Sequence, residues 1–184
     1  MSGTGRRPRD GQPLNIVVIV GNPKRASRTL TVAKAVADKL LEELAGDAGR
    51  SEVIDLAEYA DELLDFGSVK VTGLVEAMME ADLLVVGSPT YKATYTGILK
   101  VFLDRIGGGS LGGKIAVPVM VAGAPQHALA VEAYLRPLLI ELGATCPTPG
   151  LCMLESQIND LGGVIRTWWS NVSPSLSRLQ VTTG

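Results

Sequence analysis

Metal-binding and redox-active side chains are scarce in this sequence of 184 residues, which contains one histidine, His127, and two cysteines, Cys146 and Cys152. One histidine without cysteines or carboxylates at ligand spacing leaves little for a metal site or a Cys/His nucleophile pair. Two cysteines are too few for a disulfide framework, and their spacing is not C-x-x-C. We therefore predict no metal, and we interpret the two thiols as buried rather than as a redox pair.

Strong charge and long apolar runs are also missing. The formal net charge is −2, and no basic stripe is present to neutralise the phosphates of a nucleic acid. No apolar run approaches the roughly 20 residues that span a bilayer. Residues 1–13 contain three arginines but no apolar core of a signal peptide, so we expect a disordered leader. These absences favour a single cytoplasmic domain over residues 14–180, with neither nucleic acid nor membrane as a partner.

Strand and helix patterns alternate along the rest of the chain. The predicted strands cover residues 14–20, 51–56, 82–88, 114–121 and part of 145–154. The predicted helices run from near Ser27 to near Gly46 and over residues 69–81, 98–106, 127–142 and 163–179, the last interrupted or ended near Pro174. The connection over residues 57–68 is left unassigned. This alternation predicts an α/β three-layer sandwich with five parallel strands in the order 2-1-3-4-5. Ligands of such folds lie at the carboxyl ends of strands 1 and 3.

The loop after the first strand, residues 21–29, has the features of a phosphate site. Gly21 allows a sharp turn, and Ser27 and Thr29 supply hydroxyl groups beside the positive end of the following helix. The loop is neither G-x-G-x-x-G nor G-x-x-x-x-G-K-[ST], which argues against a Rossmann dinucleotide site or a P-loop. The alternative is an ordinary turn in which Ser27 only caps the helix.

The loop over residues 88–97, after the third strand, suits a flat and partly polar ring. Pro89 stiffens it, and Tyr91 and Tyr95 lie four residues apart in a chain with only 4% aromatic residues. Their rings can stack or donate a hydrogen bond, although they can also simply cover the edge of the sheet. Gly123, after the fourth strand, removes a side chain where a third wall of the same pocket is expected.

Three segments together resemble a known family: Gly21-Asn-Pro-Lys-Arg-Ala-Ser-Arg-Thr29, Gly87-Ser-Pro-Thr-Tyr-Lys-Ala-Thr-Tyr-Thr-Gly97 and His127-Ala-Leu-Ala-Val-Glu132. They are similar to the NAD(P)H-dependent FMN reductases of flavodoxin-like fold, particularly those that supply reduced flavin to alkanesulfonate monooxygenases. The resemblance covers residues 14–160. It implies FMN and NAD(P)H as cofactors and a flavin-dependent monooxygenase as a partner.

The resemblance also implies which residues contact the cofactors. The first loop holds the FMN phosphate, with an asparagine where the family often has a serine, and the second loop lines the flavin ring. The strand-4 exit completes the pocket, while the histidine is interpreted either as a contact to FMN or nicotinamide or as an exposed residue at a helix end. In chain order these residues are Asn22, Lys24, Ser27, Arg28, Thr29, Pro89, Thr90, Tyr91, Lys92, Gly123, Ala124 and His127.

Because a flavin carries the hydride chemistry itself, we predict no catalytic side chain. Two other functional classes share the predicted pocket. An FMN-containing quinone or azo reductase keeps its flavin bound throughout turnover. A flavodoxin-type electron carrier binds flavin but is not an enzyme.

Pro137 interrupts the predicted fourth helix. It lacks an N–H group and its ring crowds the carbonyl of Ala133, which predicts a bend or a one-residue bulge. The sulfonate-linked reductases that the chain resembles carry a tyrosine at a π-bulge in an oligomer interface, and Tyr134 lies one position later than that resemblance implies. A plain proline kink is the alternative. We predict a homodimer or homotetramer through this helix and the helix over residues 98–106, because their apolar residues exceed one buried stripe.

Overall fold

The computed structural model describes residues 13–45 and 48–181, with side chains described up to residue 176. All but the last residue of the predicted disordered leader, and the predicted helix end at Gly46, lie outside this part of the chain. The strands are β1 (Asn15–Val20), β2 (Arg50–Asp55), β3 (Leu83–Pro89), β4 (Ile115–Ala122) and β5 (Leu151–Leu154). The α-helices are α1 (Arg28–Leu44), α2 (Val69–Glu80), α3 (Gly97–Leu103), α4 (Arg136–Glu141) and α5 (Leu161–Val181).

The five strands form one parallel sheet in the order β2-β1-β3-β4-β5, as predicted. β1 is an interior strand between β2 and β3, and its residues 16–20 have no exposed surface. Ile16, Val18 and Val20 face a core that contains α1 and α5. Val17 and Ile19 face the opposite core, which contains α2 and α3. Since every second strand residue points to the same face, an uninterrupted β-branched run is what a strand covered on both sides requires.

The predicted fourth helix is three shorter segments rather than one helix. A 3₁₀ turn over Pro125–His127 comes first, a π-helix over Val131–Leu135 follows, and α4 completes it. The N–H of Arg136 donates to the carbonyl of Val131, five residues earlier. The bulge predicted from Pro137 is therefore confirmed, since a π-turn is a one-residue insertion in an α-helix.

The predicted interruption of α5 near Pro174 is wrong, because the helix continues through this proline to Val181. Val172 and Leu176 on either side are buried against the sheet, so packing holds both halves in line. Pro174 itself is exposed, where water can solvate the carbonyl that loses its donor. The connection that the sequence left unassigned begins with a 3₁₀ helix over Leu56–Tyr59.

No helix in residues 13–45 or 48–181 is both long enough and apolar enough to cross a bilayer. Cys146 and Cys152 are free and half-buried, whereas the sequence predicted buried thiols. Burial raises the pKa of both thiols.

Candidate functional site

Three loops meet at the carboxyl edge of the sheet, where β1, β3 and β4 end. The N–H of Gly21 donates to the carbonyl of Gly87 at 2.8 Å, and the N–H of Thr90 donates to the carbonyl of Val121 at 2.8 Å. The Thr96 hydroxyl donates to the carbonyl of Gly21 at 2.5 Å. These bonds make the first and second predicted loops adjacent walls of one site.

Within the first loop, Asn22 acts as an internal brace. Its Oδ1 accepts the N–H of Lys24 at 2.9 Å, and its Nδ2 donates to Oγ1 of Thr29 at 3.2 Å. The side chain is buried, so it closes the loop in the manner of an Asx turn. Asn22 and Thr29, both predicted as cofactor contacts, therefore already bond to each other.

Ser27 is the N-cap of α1, as the plain-turn alternative anticipated. Its Oγ accepts the N–H of Leu30 at 3.2 Å, and its carbonyl accepts the N–H of Thr31 at 3.1 Å. A helix start has four N–H groups without helical partners. The N–H groups of Arg28 and Thr29 donate to no acceptor among the described residues. The Ser27 hydroxyl accepts a hydrogen bond, so its own proton is also available to donate. Capping therefore leaves donors that can face an anion at the positive end of a 17-residue helix.

The cations of this loop are exposed. Lys24 extends into solvent, and Nη1 of Arg28 pairs with a carboxylate oxygen of Glu155 at 3.0 Å. Both partners of that pair are largely exposed, so it contributes little to stability. Arg25, which the sequence did not single out, donates to the carbonyl of Ala57 at 3.5 Å.

Asp55 is a residue of this site that sequence reasoning missed. It is the last residue of β2 and only 6% exposed. Its Oδ1 accepts the N–H of Ala57 at 3.2 Å, and its Oδ2 accepts the N–H of Ala26 at 3.3 Å. Burial raises the pKa of the Asp55 carboxyl, and the two backbone donors oppose that effect. A charged residue inside an otherwise apolar end of the predicted strand, residues 51–56, was the available signal.

The second loop contains a tight two-residue turn. The N–H of Tyr91 donates to the carbonyl of Thr94 at 2.9 Å, and the N–H of Thr94 donates back at 3.2 Å. The two residues between them, Lys92 and Ala93, have φ angles of 51° and 68°. Positive φ at both central positions is the pattern of a type I′ turn, which normally uses Asn and Gly. The turn presents Tyr91 and Lys92 to solvent.

The two tyrosines of this loop have different surroundings. Tyr91 is 45% exposed, whereas Tyr95 is half-buried and packs against the core. The interpretation that the tyrosines cover the sheet therefore holds for Tyr95 and not for Tyr91. Oγ1 of Thr90, beside Tyr91, is buried, and no described residue supplies it with a hydrogen-bond partner. A buried hydroxyl in that state is suited to a ligand.

Ser88 and Thr96 fix this loop, and neither was predicted as a site residue. Oγ of Ser88 accepts the N–H of Thr96 at 3.0 Å and donates to the carbonyl of Pro89 at 2.9 Å. Thr96 also caps α3, because its Oγ1 accepts the N–H of Leu99 at 3.4 Å. Its position just before a glycine and an apolar helix was the available signal for an N-cap.

The strand-4 exit forms the third side of the edge. A Cβ added to Gly123 would meet no atom within 4 Å, so open space lies where the sequence predicted a pocket wall. Ala124 and His127 are half-buried, and His127 ends a 3₁₀ turn instead of beginning a long helix. In the described ranges, no hydrogen bond or ion pair joins the His127 side chain to the other predicted residues. The same ranges hold no group of three or more His, Cys, Asp or Glu residues placed to bind a metal ion.

Comparison with known sequences gives a match that includes all three loops. The sequence profile of a family described as NADPH-dependent FMN reductase matches residues 14–158. The chain is 31% identical over 152 residues to "FMN reductase (NADPH)" of Escherichia coli (strain K12), covering 80% of this chain and 76% of that protein. It is 33% identical over 158 residues to "NADH-dependent FMN reductase SfnF" of Pseudomonas fluorescens (strain Pf0-1), covering 81% of each.

Comparison with solved structures also finds a flavin oxidoreductase. The apo form of an NADH:FMN oxidoreductase (EMOB) superimposes with a TM-score of 0.74 and 32% sequence identity. The superposition covers 84% of this chain and 88% of that one.

Proposed function

This chain belongs to the NADPH-dependent FMN reductase family, and from that membership we infer that it transfers a hydride from NADH or NADPH to FMN and passes reduced flavin to a partner monooxygenase. The observation that carries the inference is the junction of the first two loops. The hydrogen bond from Thr96 to Gly21 makes an anion-type loop and a ring-type loop neighbours at one sheet edge. FMN has a phosphate and a flat ring, which need two such walls side by side.

The first loop fits the phosphate. The N–H groups of Arg28 and Thr29, together with the hydroxyl of Ser27, are donors at the positive end of α1. Lys24 adds a nearby positive charge, and Arg28 adds another if it exchanges Glu155 for the ligand. We propose that these four residues hold the phosphate, with Asn22 bracing the loop from within rather than contacting the ligand with a free group.

The second and third loops fit the ring. The buried Oγ1 of Thr90, which no described residue partners, lies in the same loop as the exposed Tyr91 and Lys92. Open space at Gly123 admits a planar group, with Ala124 beside it. When bound, FMN supplies the hydride-accepting chemistry. The chain supplies orientation, and nothing in this arrangement requires an acid or a base. His127, in the 3₁₀ turn that follows Gly123 and Ala124, is proposed as a contact to FMN or the nicotinamide.

We propose a homodimer or homotetramer built on the π-helix. Leu129, Tyr134 and Ile140 are large apolar residues of this region that are 76%, 49% and 53% exposed. These exposed apolar residues lie close together in sequence, before, within and after the π-helix, and such a grouping is typical of an interface. The second predicted contact, α3, is less suited to an interface, because Ile98 and Val101 pack against the chain's own core.

The most specific part of the proposal is that a monooxygenase receives the reduced flavin. It is supported by the loop motifs and by relatives named as NADH-dependent FMN reductases SfnF and SfnE. A cytoplasmic location fits this role, because NAD(P)H is available there.

Steady-state oxidation of NADH and of NADPH, followed while free FMN is titrated, tests the function. Rates that saturate with FMN, and weaker saturation with riboflavin, support a reductase that uses flavin as a substrate. Ping-pong turnover with a tightly held yellow cofactor indicates a quinone or azo reductase instead. Negligible oxidation of both nucleotides at every FMN concentration refutes the reductase and leaves an electron carrier.

A further inference from the structure

We propose that Asp55 is a positioning residue for the phosphate loop: by accepting the N–H of Ala26, it holds residues 22–27 in the shape that receives a phosphate monoester. This inference rests on the proposed function, since it assigns the loop to the FMN phosphate. Asp55 is not itself placed in contact with the ligand.

The location of Asp55 follows from the strand register. It lies opposite Val20 in the β1–β2 pair, so the end of β2 is beside the start of the loop that leaves β1. Its two carboxylate oxygens have separate partners. Oδ1 caps the local 3₁₀ helix through Ala57 at 3.2 Å, while Oδ2 reaches Ala26, 29 residues away in sequence, at 3.3 Å. The first contact is an ordinary cap, and the second joins β2 to the loop.

The loop needs such support because Ala26 is in the left-handed region, with φ at 48°. That conformation is unfavourable for any residue with a Cβ atom, and it persists where surrounding contacts stabilise it. A hydrogen bond to a carboxylate is stronger than one to a neutral acceptor. Ser27, the next residue, is the N-cap of α1, so the turn at Ala26 sets the direction of the first N–H groups of the helix.

The charges around Asp55 are consistent with support rather than ligand contact. Glu58 and Arg25 are the charged side chains that influence its carboxyl group, with opposite effects. Both carboxylate oxygens already accept backbone N–H groups. A carboxylate pointing at a phosphate would repel it, whereas one occupied by loop amides stabilises the loop without facing the anion.

The test is Asp55→Asn, measured with FMN and with riboflavin, which lacks the phosphate. Asparagine caps helices as well as aspartate does, but it has one acceptor oxygen where aspartate has two. We expect the KM for FMN to rise about five- to tenfold, the loss of one hydrogen bond. The KM for riboflavin and the kcat at saturating flavin should not change. Equal changes for the two flavins, or none, would overturn the proposal.

A double-mutant cycle with Ala26→Gly makes the test independent of which bond the asparagine keeps. Glycine adopts a positive φ without a Cβ penalty. If Asp55 acts by holding Ala26, then Asp55→Ala must cost less FMN affinity in the Ala26→Gly background than in the wild-type background. The same loss in both backgrounds would also overturn the proposal.

Ser68→Ala is the matched control for general destabilisation. Ser68 is the buried N-cap of α2, where its Oγ accepts the N–H of Val71 at 3.2 Å. Its loss should lower stability while the constants for both flavins stay the same. Wild-type protein that fails to oxidise NAD(P)H with FMN refutes the proposed function. If the wild-type protein prefers FMN to riboflavin and the Asp55 variants keep this preference, only the role of Asp55 is refuted.

Discussion

Replacing Thr96 by valine should remove the junction between the first two loops. The two residues have nearly the same shape, so the change deletes the hydroxyl and little else. That hydroxyl donates to the carbonyl of Gly21 at 2.5 Å and caps α3 through Leu99. In the parallel ladder between β1 and β3, Gly21 donates its N–H to the carbonyl of Gly87. The carbonyl of Gly21 would ordinarily accept the N–H of the residue two positions after Gly87. That residue is Pro89, which has no N–H.

The expected loss follows from these two contacts. Losing an N-cap costs about 1 kcal/mol. A buried carbonyl left without a donor costs about 1 to 3 kcal/mol. Because the two contacts share one hydroxyl, we expect Thr96→Val to lower the free energy of unfolding by about 2 to 3 kcal/mol, measured by urea denaturation.

Thr72→Val is the control for this prediction. The Thr72 hydroxyl also donates to a backbone carbonyl, that of Ser68 at 2.8 Å, but this carbonyl keeps the N–H of Thr72 as a second donor. The Thr72→Val substitution should therefore change the free energy of unfolding by no more than about 0.5 kcal/mol. A Thr96→Val protein no less stable than Thr72→Val would refute the reasoning, as would a Thr96→Ser protein as unstable as Thr96→Val.

Three further predictions concern binding and pH. Replacing both Ser27 and Thr29 by alanine should weaken FMN binding by about 1.5 to 3 kcal/mol, since the Ser27 hydroxyl is lost as a donor to a charged group and Thr29 loses the hydroxyl that accepts from Asn22 inside the loop; an unchanged Kd in a fluorescence titration contradicts the phosphate assignment. Tyr91→Ala should lower flavin affinity or turnover but not unfolding free energy, because the ring is 45% exposed; unaltered kinetics and flavin spectrum would make the loop purely structural. The Arg136 guanidinium holds the pKa of Glu132 below its usual value, helped by the backbone N–H of Gly150. Its stabilising effect is therefore present above about pH 4.5 and lost as pH falls through the lowered pKa, so Glu132→Gln should flatten the loss of unfolding free energy between about pH 6 and pH 3; a Glu132→Gln profile as steep as the wild type contradicts this.

Local patterns were sufficient for the features that depend on neighbours in sequence. The β-branched run of β1 predicted a strand covered on both faces, Ser27 predicted the start of α1, and Pro137 predicted the bulge, because each is set by stereochemistry within a few residues. The sheet order followed from the alternation of strands and helices.

Long-range contacts explain what the sequence did not reveal. Asp55 meets Ala26 across 29 residues, and Thr96 meets Gly21 across 75. The periodic patterns of strands and helices do not reveal contacts between residues so far apart in sequence. Positive φ at Lys92, a residue type that does not favour it, depends on the turn being held from outside.

The interior position of β1, between β2 and β3, has a consequence for folding during synthesis. β1 is the first strand in the chain, yet its two partners, β2 and β3, end at Asp55 and Pro89. Since the ribosome adds about 5 to 20 residues per second, five consecutive β-branched residues stay uncovered for several seconds. Short uncharged runs of this kind are prone to pair with other chains, and nearby charges such as Lys24 and Arg25 oppose such pairing. The strand that supports the site is thus an uncovered, aggregation-prone segment until the sheet closes.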